Sequence, residues 1–153
     1  MKYFEDFQIG DLIITRGRTV TEADIVNFAY LTGDWHPIHT NAEYAKETVF
    51  RERIAHGMFI LSLGSGLWAN LAAEWDFIAF YGSDHIRFMQ PVKIGDTLHV
   101  YFEVVGKQEK NERRGIVDFR QLIKNQRQED VSVMIFRLMI GRKTESKPST
   151  EDR

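Results

Sequence analysis

The segment Gly57–Ala73 constrains the fold more than any other part of the chain, because apolar residues recur there at helical spacing on nearly every face. These residues are Met58, Phe59, Ile60, Leu61, Leu63, Leu67, Trp68 and Leu71. A helix that is apolar all round is stable only when other elements cover most of its sides. Serines, an asparagine and glycines interrupt the run, which is also too short to span a membrane. We therefore predict a buried helix at the centre of the domain.

β-Strand patterns follow this helix. They lie at Phe77–Tyr81, His85–Met89, Thr97–Gly106, Gly115–Lys124 and Val131–Ile140. Val92–Asp96 is a predicted turn, and the polar segment Asn125–Asp130 joins the last two strands as a hairpin. A long buried helix followed by antiparallel strands indicates an α+β hot-dog fold, in which a sheet wraps around one helix.

The last predicted strand is apolar on both faces. Its two rows are Val131, Val133, Ile135 and Met139 on one side and Met134, Phe136, Leu138 and Ile140 on the other. Only one face of such a sheet can pack on the domain's own helix. The opposite face would be an unusually large apolar patch in water. We therefore predict a homodimer or a higher homo-oligomer, in which a second copy of the chain covers that face.

The chain before the central helix is predicted to contain strand segments and two capped helices. Leu12–Thr15 and Thr19–Val20 have strand character. Thr21 is a favourable N-cap for a helix with acidic residues in its first turn, and Gly33 ends that helix. Asn41 is the N-cap candidate of a shorter helix.

Length, charge and cysteine content exclude several classes of function. With 153 residues the chain is long enough for one domain, which we place at residues 1–142, followed by a polar, disordered tail at 143–153. A net charge of −2 gives no general attraction to nucleic acid or to an anionic membrane. The absence of cysteine excludes disulfides and thiolate chemistry. Together with the lack of a signal peptide, it favours a cytoplasmic location.

The motif Gly33-Asp34-Trp35-His36-Pro37-Ile38-His39 places one carboxylate and two imidazoles close together in sequence. Pro37 prevents the preceding helix from continuing, so Asp34 and His39 lie on a stiff loop where they can converge as an acid/base pair. At the start of the central helix, Gly57 exposes a backbone N–H at the positive end of the helix dipole, where negative charge is stabilised. Each residue also has a simpler interpretation: a turn former for Asp34, a carbonyl-bonded loop histidine for His39, and close packing for Gly57.

This motif resembles that of the MaoC-like dehydratases, the single-domain (R)-specific enoyl-CoA hydratases of the hot-dog superfamily, whose form is Gly-Asp-x-Asn-Pro-(Ile/Leu)-His. The resemblance extends from about Phe4 to Ile140 and includes Thr19–Asp24, Arg53–Met58 and Arg87–Asp96. It implies a reaction of fatty acid metabolism, in which water is added to an enoyl thioester of CoA or removed from a 3-hydroxyacyl thioester. It also implies a homodimer that completes the cleft, and no cofactor beyond the CoA carried by the substrate.

The resemblance assigns the catalytic pair to Asp34 and His39 and the oxyanion donor to the backbone N–H of Gly57. A helix hydroxyl near the pair corresponds to Ser65. One position departs from the family pattern, because His36 replaces the usual Asn. An imidazole is bulkier than an amide and titrates near neutrality, so His36 either fills the Asn position structurally or contributes to binding.

Three alternatives remain open at the level of the sequence. A hot-dog thioesterase would attack the thioester carbonyl rather than C3, and a non-catalytic binding module for acyl thioesters would keep the fold without the reaction. The third alternative is a zinc site with ligands from Asp34, His36, His39 and His56. We predict no metal, because no ligand-spaced motif such as H-E-x-x-H is present. His56 is otherwise interpreted as a packing or cap-bonding residue.

Overall fold

The computed structural model describes residues 1–143 as a helical layer packed against one antiparallel sheet. The α-helices are α1 Glu22–Thr32, α2 Pro37–Thr40, α3 Ala42–Lys46 and α4 Gly57–Ala69. The strands are β1 Leu12–Ile14, β2 Arg18–Thr19, β3 Phe77–Phe88, β4 Thr97–Asn111, β5 Arg114–Lys124 and β6 Asp130–Gly141. Short 3₁₀ helices lie at Phe4–Asp6 and Leu71–Glu74.

The sheet has the strand order β1-β4-β5-β6-β3, and β2 pairs with β4 beside it. All of these pairs are antiparallel. The predicted hairpin between the last two strands is present, and a buried asparagine organises it. Asn125 Oδ1 accepts hydrogen bonds from the backbone N–H groups of Arg127, at 2.9 Å, and Glu129, at 3.1 Å. This side chain thus satisfies the polar backbone of the turn.

Helix α4 packs on the inner face of the sheet through a column of aromatic rings. The Trp68 ring stacks on Phe102 with centroids 4.6 Å apart, and Phe102 stacks on Phe119 at 4.3 Å. Trp75 lies beside this column, with its ring centroid 5.5 Å from that of Phe119 and 6.3 Å from that of Trp68. Trp68 Nε1–H donates to Oε1 of the fully buried Gln121 at 3.0 Å. The column and this buried hydrogen bond fix the helix against the strands.

The predicted helix ends around the motif are confirmed. Thr21 Oγ1 accepts a bond from the backbone N–H of Asp24, and the Asp24 carboxylate accepts one from the backbone N–H of Thr21. This capping box starts α1. Gly33 ends α1 with a φ of 77°, in the left-handed region that favours glycine. Asn41 Oδ1 caps α3 at the Tyr44 N–H.

Two predicted elements differ from the structure. Helix α4 ends at Ala69 rather than at about Ala73, because the chain tightens into the 3₁₀ turn Leu71–Glu74. Met58 is 62% exposed, so this helix is covered on most but not all sides. The two strands predicted at Phe77–Tyr81 and His85–Met89 are one strand, β3. Its register against β6 shifts at irregular positions, which allow one strand to bend along the sheet.

The apolar surface lies on β3 rather than on the outer face of β6. The inner row of β6 is buried as predicted, and its Phe136 contacts Trp68. The outer row is partly covered, and Arg137 in that row pairs with Asp84 and Asp118. Five apolar residues of the edge strand β3 are instead about half exposed: Phe77, Ile78, Phe80, Tyr81 and Phe88. The location predicted for the apolar patch was therefore wrong by one strand.

Within residues 1–143 no helix is long and apolar enough to cross a membrane. The predicted tail lies outside the described residues from position 144 onward. Its first residue, Lys143, donates its backbone N–H to Glu5 at 3.0 Å and forms an ion pair with Asp6. The N-terminal segment thus holds the end of the domain at this point.

Candidate active site

The motif begins on an irregular loop between α1 and α2 and ends inside α2. Asp34 lies on the loop as predicted, whereas His39 lies in the short helix rather than on the loop. Gly33 reverses the chain after α1, and Pro37 occupies the first turn of α2, where its missing N–H costs nothing. Between them, Asp34 Oδ1 accepts a hydrogen bond from the backbone N–H of His36 at 3.2 Å. This is the turn geometry of the simpler interpretation of Asp34, and it holds the exposed carboxylate in place.

His36 fills the Asn position as a helix cap. Its Nδ1 accepts a hydrogen bond from the backbone N–H of Ile38 at 3.2 Å. An Asn Oδ1 would accept a bond from the same kind of backbone donor. The His36 side chain is exposed, and its ring centroid is 6.3 Å from that of His39. The capping of α2 is therefore sufficient to explain how His36 fills the Asn position.

His39 faces the site as a neutral base. Its Nδ1 lies 2.7 Å from the Ile54 carbonyl oxygen. A carbonyl only accepts, so Nδ1 carries the proton and Nε2 has a free lone pair. Burial lowers the pKa of His39 below its usual value, and the neighbouring His56 lowers it further, against the opposing effects of the Ile54 carbonyl and the Asp34 carboxylate. The imidazole is thus ready to accept a proton at neutral pH.

His56 joins the pair from the start of α4. Side-chain atoms of Asp34, His39 and His56 lie within 4.8 Å of one another. His56 is 2% exposed, and its ring stacks on that of His39 with centroids 3.8 Å apart. Its Nε2 lies 3.0 Å from the backbone oxygen of Asp34. The interpretation of His56 as a packing or cap-bonding residue is confirmed through packing, since its side chain caps no backbone N–H of α4.

Gly57 is the first residue of α4, where helix geometry leaves the backbone N–H without an intrahelical acceptor. Gly57 and His39 line one apolar cavity of about 370 Å³, with Phe88 and Val131 among its other walls. A Cβ atom at position 57 would lie 2.9 Å from the Phe88 ring. Glycine therefore keeps this wall of the cavity open next to the free N–H.

Ser65 is not brought to the pair within this chain. It lies eight residues after Gly57, about 12 Å along the helix axis. Its hydroxyl donates to the Leu61 carbonyl oxygen at 3.1 Å, one turn back in the helix. It lines a different cavity, of about 460 Å³, together with Trp68 and Met134. The structure thus brings Asp34 close to His39, places His39 and Gly57 on one cavity, and leaves Ser65 on another.

The ring geometry does not suit the zinc alternative. The lone pair of an imidazole nitrogen lies in the plane of its ring, and a zinc ion sits about 2.0–2.1 Å from that nitrogen. The His39 and His56 rings face each other with only 29° between their planes. Their lone pairs therefore do not meet at one point at that distance. His36, the fourth candidate ligand, is not among the clustered residues.

Comparison with known proteins places the chain in a family. A family model described as MaoC like domain matches residues 6–124. Protein MaoC of Klebsiella aerogenes is 45% identical over 112 residues, which cover 73% of this chain and 33% of that protein. An (R)-specific enoyl-CoA hydratase of Rhodospirillum rubrum is 38% identical over 107 residues, or 69% of this chain and 72% of that enzyme. This chain thus spans about a third of the first relative and most of the second.

A solved structure agrees with this assignment. The monoamine oxidase regulatory protein from Archaeoglobus fulgidus is 42% identical and superimposes with a TM-score of 0.88, over 92% of this chain and 95% of that one. The architecture is the α+β hot-dog fold that the sequence predicts. The chain belongs to the MaoC-like hydratase/dehydratase family.

Proposed function

We propose that this protein is an enoyl-CoA hydratase, or in the reverse direction a 3-hydroxyacyl-CoA dehydratase. The observation that carries the proposal is the convergence of the Asp34 carboxylate and the His39 imidazole within 4.8 Å, with Gly57 on the same cavity wall as His39. The related enzyme of Rhodospirillum rubrum, named an (R)-specific enoyl-CoA hydratase, supports this reaction class.

In the hydration direction, a water oxygen attacks C3 of the enoyl thioester. The Asp34/His39 pair takes one proton from the water and returns a proton to C2, so that the reaction adds one H and one OH. Meanwhile the thioester oxygen gains enolate charge, which the Gly57 N–H stabilises at the helix terminus. The neighbouring apolar cavity suits the acyl group. No step in this scheme requires a metal or a redox cofactor.

A homodimer is part of the proposal. Strand β3 lies at the edge of the sheet, where its backbone can pair with another strand, and it exposes the apolar residues described above. The occupant we propose for this edge is a second copy of the chain, related by a two-fold axis. Such a dimer would also cover the cavity wall formed by the half-exposed Phe88.

One assay separates the candidate functions. The protein is incubated with crotonyl-CoA, the loss of enoyl absorbance is followed, and free thiol is titrated separately. Loss of the enoyl signal alone supports hydration, whereas thiol release identifies a thioesterase. If neither signal changes while the thioester binds, the chain is a binding module and the proposal fails.

Two variants test the assigned residues. Asp34→Asn and His39→Gln should each lower kcat by at least about 10²-fold, because each removes a proton-transfer group with little change in volume. Asp130→Asn and His99→Gln are matched controls. Asp130 is exposed and pairs at the surface with Lys124, and His99 lies on β4, away from both the edge strand β3 and the cavity that His39 and Gly57 line. Near-normal hydration by both site variants would rule out the mechanism.

A further inference from the structure

The His56 side chain lies at the centre of the site, yet the proton transfers proposed above do not use it. The residue is 2% exposed, and its Nδ1 has no hydrogen-bond partner among residues 1–143. An unsatisfied buried acceptor is unfavourable. If the ring at position 56 served only for packing, a phenylalanine would be more favourable, because its ring would stack equally well and would bury no unsatisfied nitrogen.

The other ring nitrogen of His56, Nε2, forms a hydrogen bond to the motif loop. The Asp34 backbone oxygen only accepts hydrogen bonds, so His56 Nε2 carries a proton and donates it across 3.0 Å. This bond joins the motif loop to the residue that immediately precedes Gly57. It is therefore a direct link between the segment bearing the carboxylate and the segment bearing the oxyanion donor.

The face of the same ring restrains the catalytic imidazole. The His56 and His39 rings are stacked at 3.8 Å, and Phe28 packs on the His56 ring with centroids 5.1 Å apart. Phe28 in turn contacts Phe59 of α4, which fixes it against the helix. His39 is thus held between the Ile54 carbonyl, which binds its Nδ1, and the face of His56.

We propose that His56 is a positioning residue that holds the Asp34 backbone and the His39 ring in register with the Gly57 N–H. This inference rests on the proposed hydratase function, because it assigns His56 a role in that site. Catalysis by oriented groups is sensitive to displacements of about 1 Å, which cost on the order of 10²-fold in rate. Loss of the hydrogen bond should therefore affect kcat more than KM.

Two substitutions separate the hydrogen bond from the stacking. His56→Phe keeps an aromatic face against His39 but donates nothing, and we expect kcat on crotonyl-CoA to fall by about 10- to 100-fold with little change in KM. His56→Gln keeps an amide N–H that can reach the Asp34 carbonyl, and it should restore at least part of the lost kcat. A folded Phe variant with wild-type kcat would overturn the proposal, and so would a Gln variant no more active than the Phe variant.

A second measurement does not depend on activity. Long-range ¹H–¹⁵N spectra of the wild-type protein at pH 8 should show His56 as the Nε2-protonated tautomer. The ¹³C shift of the Asp34 carbonyl should move in the Phe variant more than in the Gln variant. An Nδ1-protonated His56 would overturn the inference even if the Phe variant fails to fold. A wild-type protein that shows the expected Nε2-protonated tautomer but does not hydrate crotonyl-CoA would instead refute the proposed function.

Discussion

Replacing His36 by Ala tests whether the imidazole acts only as a cap. The substitution removes the acceptor for the Ile38 N–H, and loss of an N-cap costs about 0.5–2 kcal/mol. Because His36 is exposed and α2 has only four residues, we expect the lower part of that range, about 0.5–1 kcal/mol. If the cost falls on the motif loop, the equilibrium constant for the ordered loop drops by about two- to fivefold, which sets an upper limit on the loss of competent protein.

The assay compares His36→Ala with His36→Asn, which restores a side-chain acceptor. We expect His36→Asn to keep or raise kcat/KM on crotonyl-CoA, and His36→Ala to lower it by at most about fivefold. For a chain of this size, about 1 kcal/mol corresponds to a Tm lower by about 2–4 °C. If the Asn variant loses as much activity as the Ala variant, the imidazole has a role beyond capping. Loss of a bound metal from either variant would contradict the metal-free mechanism.

Three further predictions concern pH, the core and assembly. Since burial lowers the pKa of His39, kcat/KM should stay high to a pH below about 6.5. The free energy of unfolding should fall as the pH drops from about 6.5 through the folded-state pKa of His39. If the free energy of unfolding of His39→Gln depends on pH as steeply as that of the wild type, this prediction is wrong. Gln121→Leu should destabilise the fold by about 1–3 kcal/mol, because it leaves the buried Trp68 N–H unpaired; urea unfolding tests this, and an unchanged midpoint would refute it. Tyr81→Lys on β3, at a side chain that is about half exposed, should weaken both assembly and activity, whereas light scattering that gives a mass near 17.9 kDa for the fully active wild-type protein would contradict the homodimer.

The predictions that succeeded rest on local chemistry. Thr21, Gly33 and Asn41 act through hydrogen bonds or backbone angles within a few residues, so their roles follow from the sequence. The motif spacing likewise brings Asp34 and His39 together, because Pro37 ends the short loop that carries Asp34 and starts the helix that carries His39. The hot-dog fold follows from one apolar helix ahead of several long strands.

The predictions that failed depend on contacts between distant parts of the chain, which cannot be inferred from the spacing of residues in the sequence. The polar residues near the middle of β3 suggest a break, but pairing with β6 carries the strand through its bulges. The role of His56 requires a bond to Asp34, 22 residues earlier in the chain. In the sequence, only the position of His56 next to Gly57 indicates that it lies near the site. A cytoplasmic location and a disordered tail stay predictions.

The stacked rings of the core have a consequence for spectroscopy. Trp68 and Trp75 are buried among those rings, whereas Trp35 lies between Asp34 and His36 and is 50% exposed. The chain contains three tryptophans, so the long-wavelength, quencher-accessible part of its fluorescence arises from the motif loop. Ligand entry at this loop can thus be followed in the unmodified protein, through the protection of one indole from acrylamide.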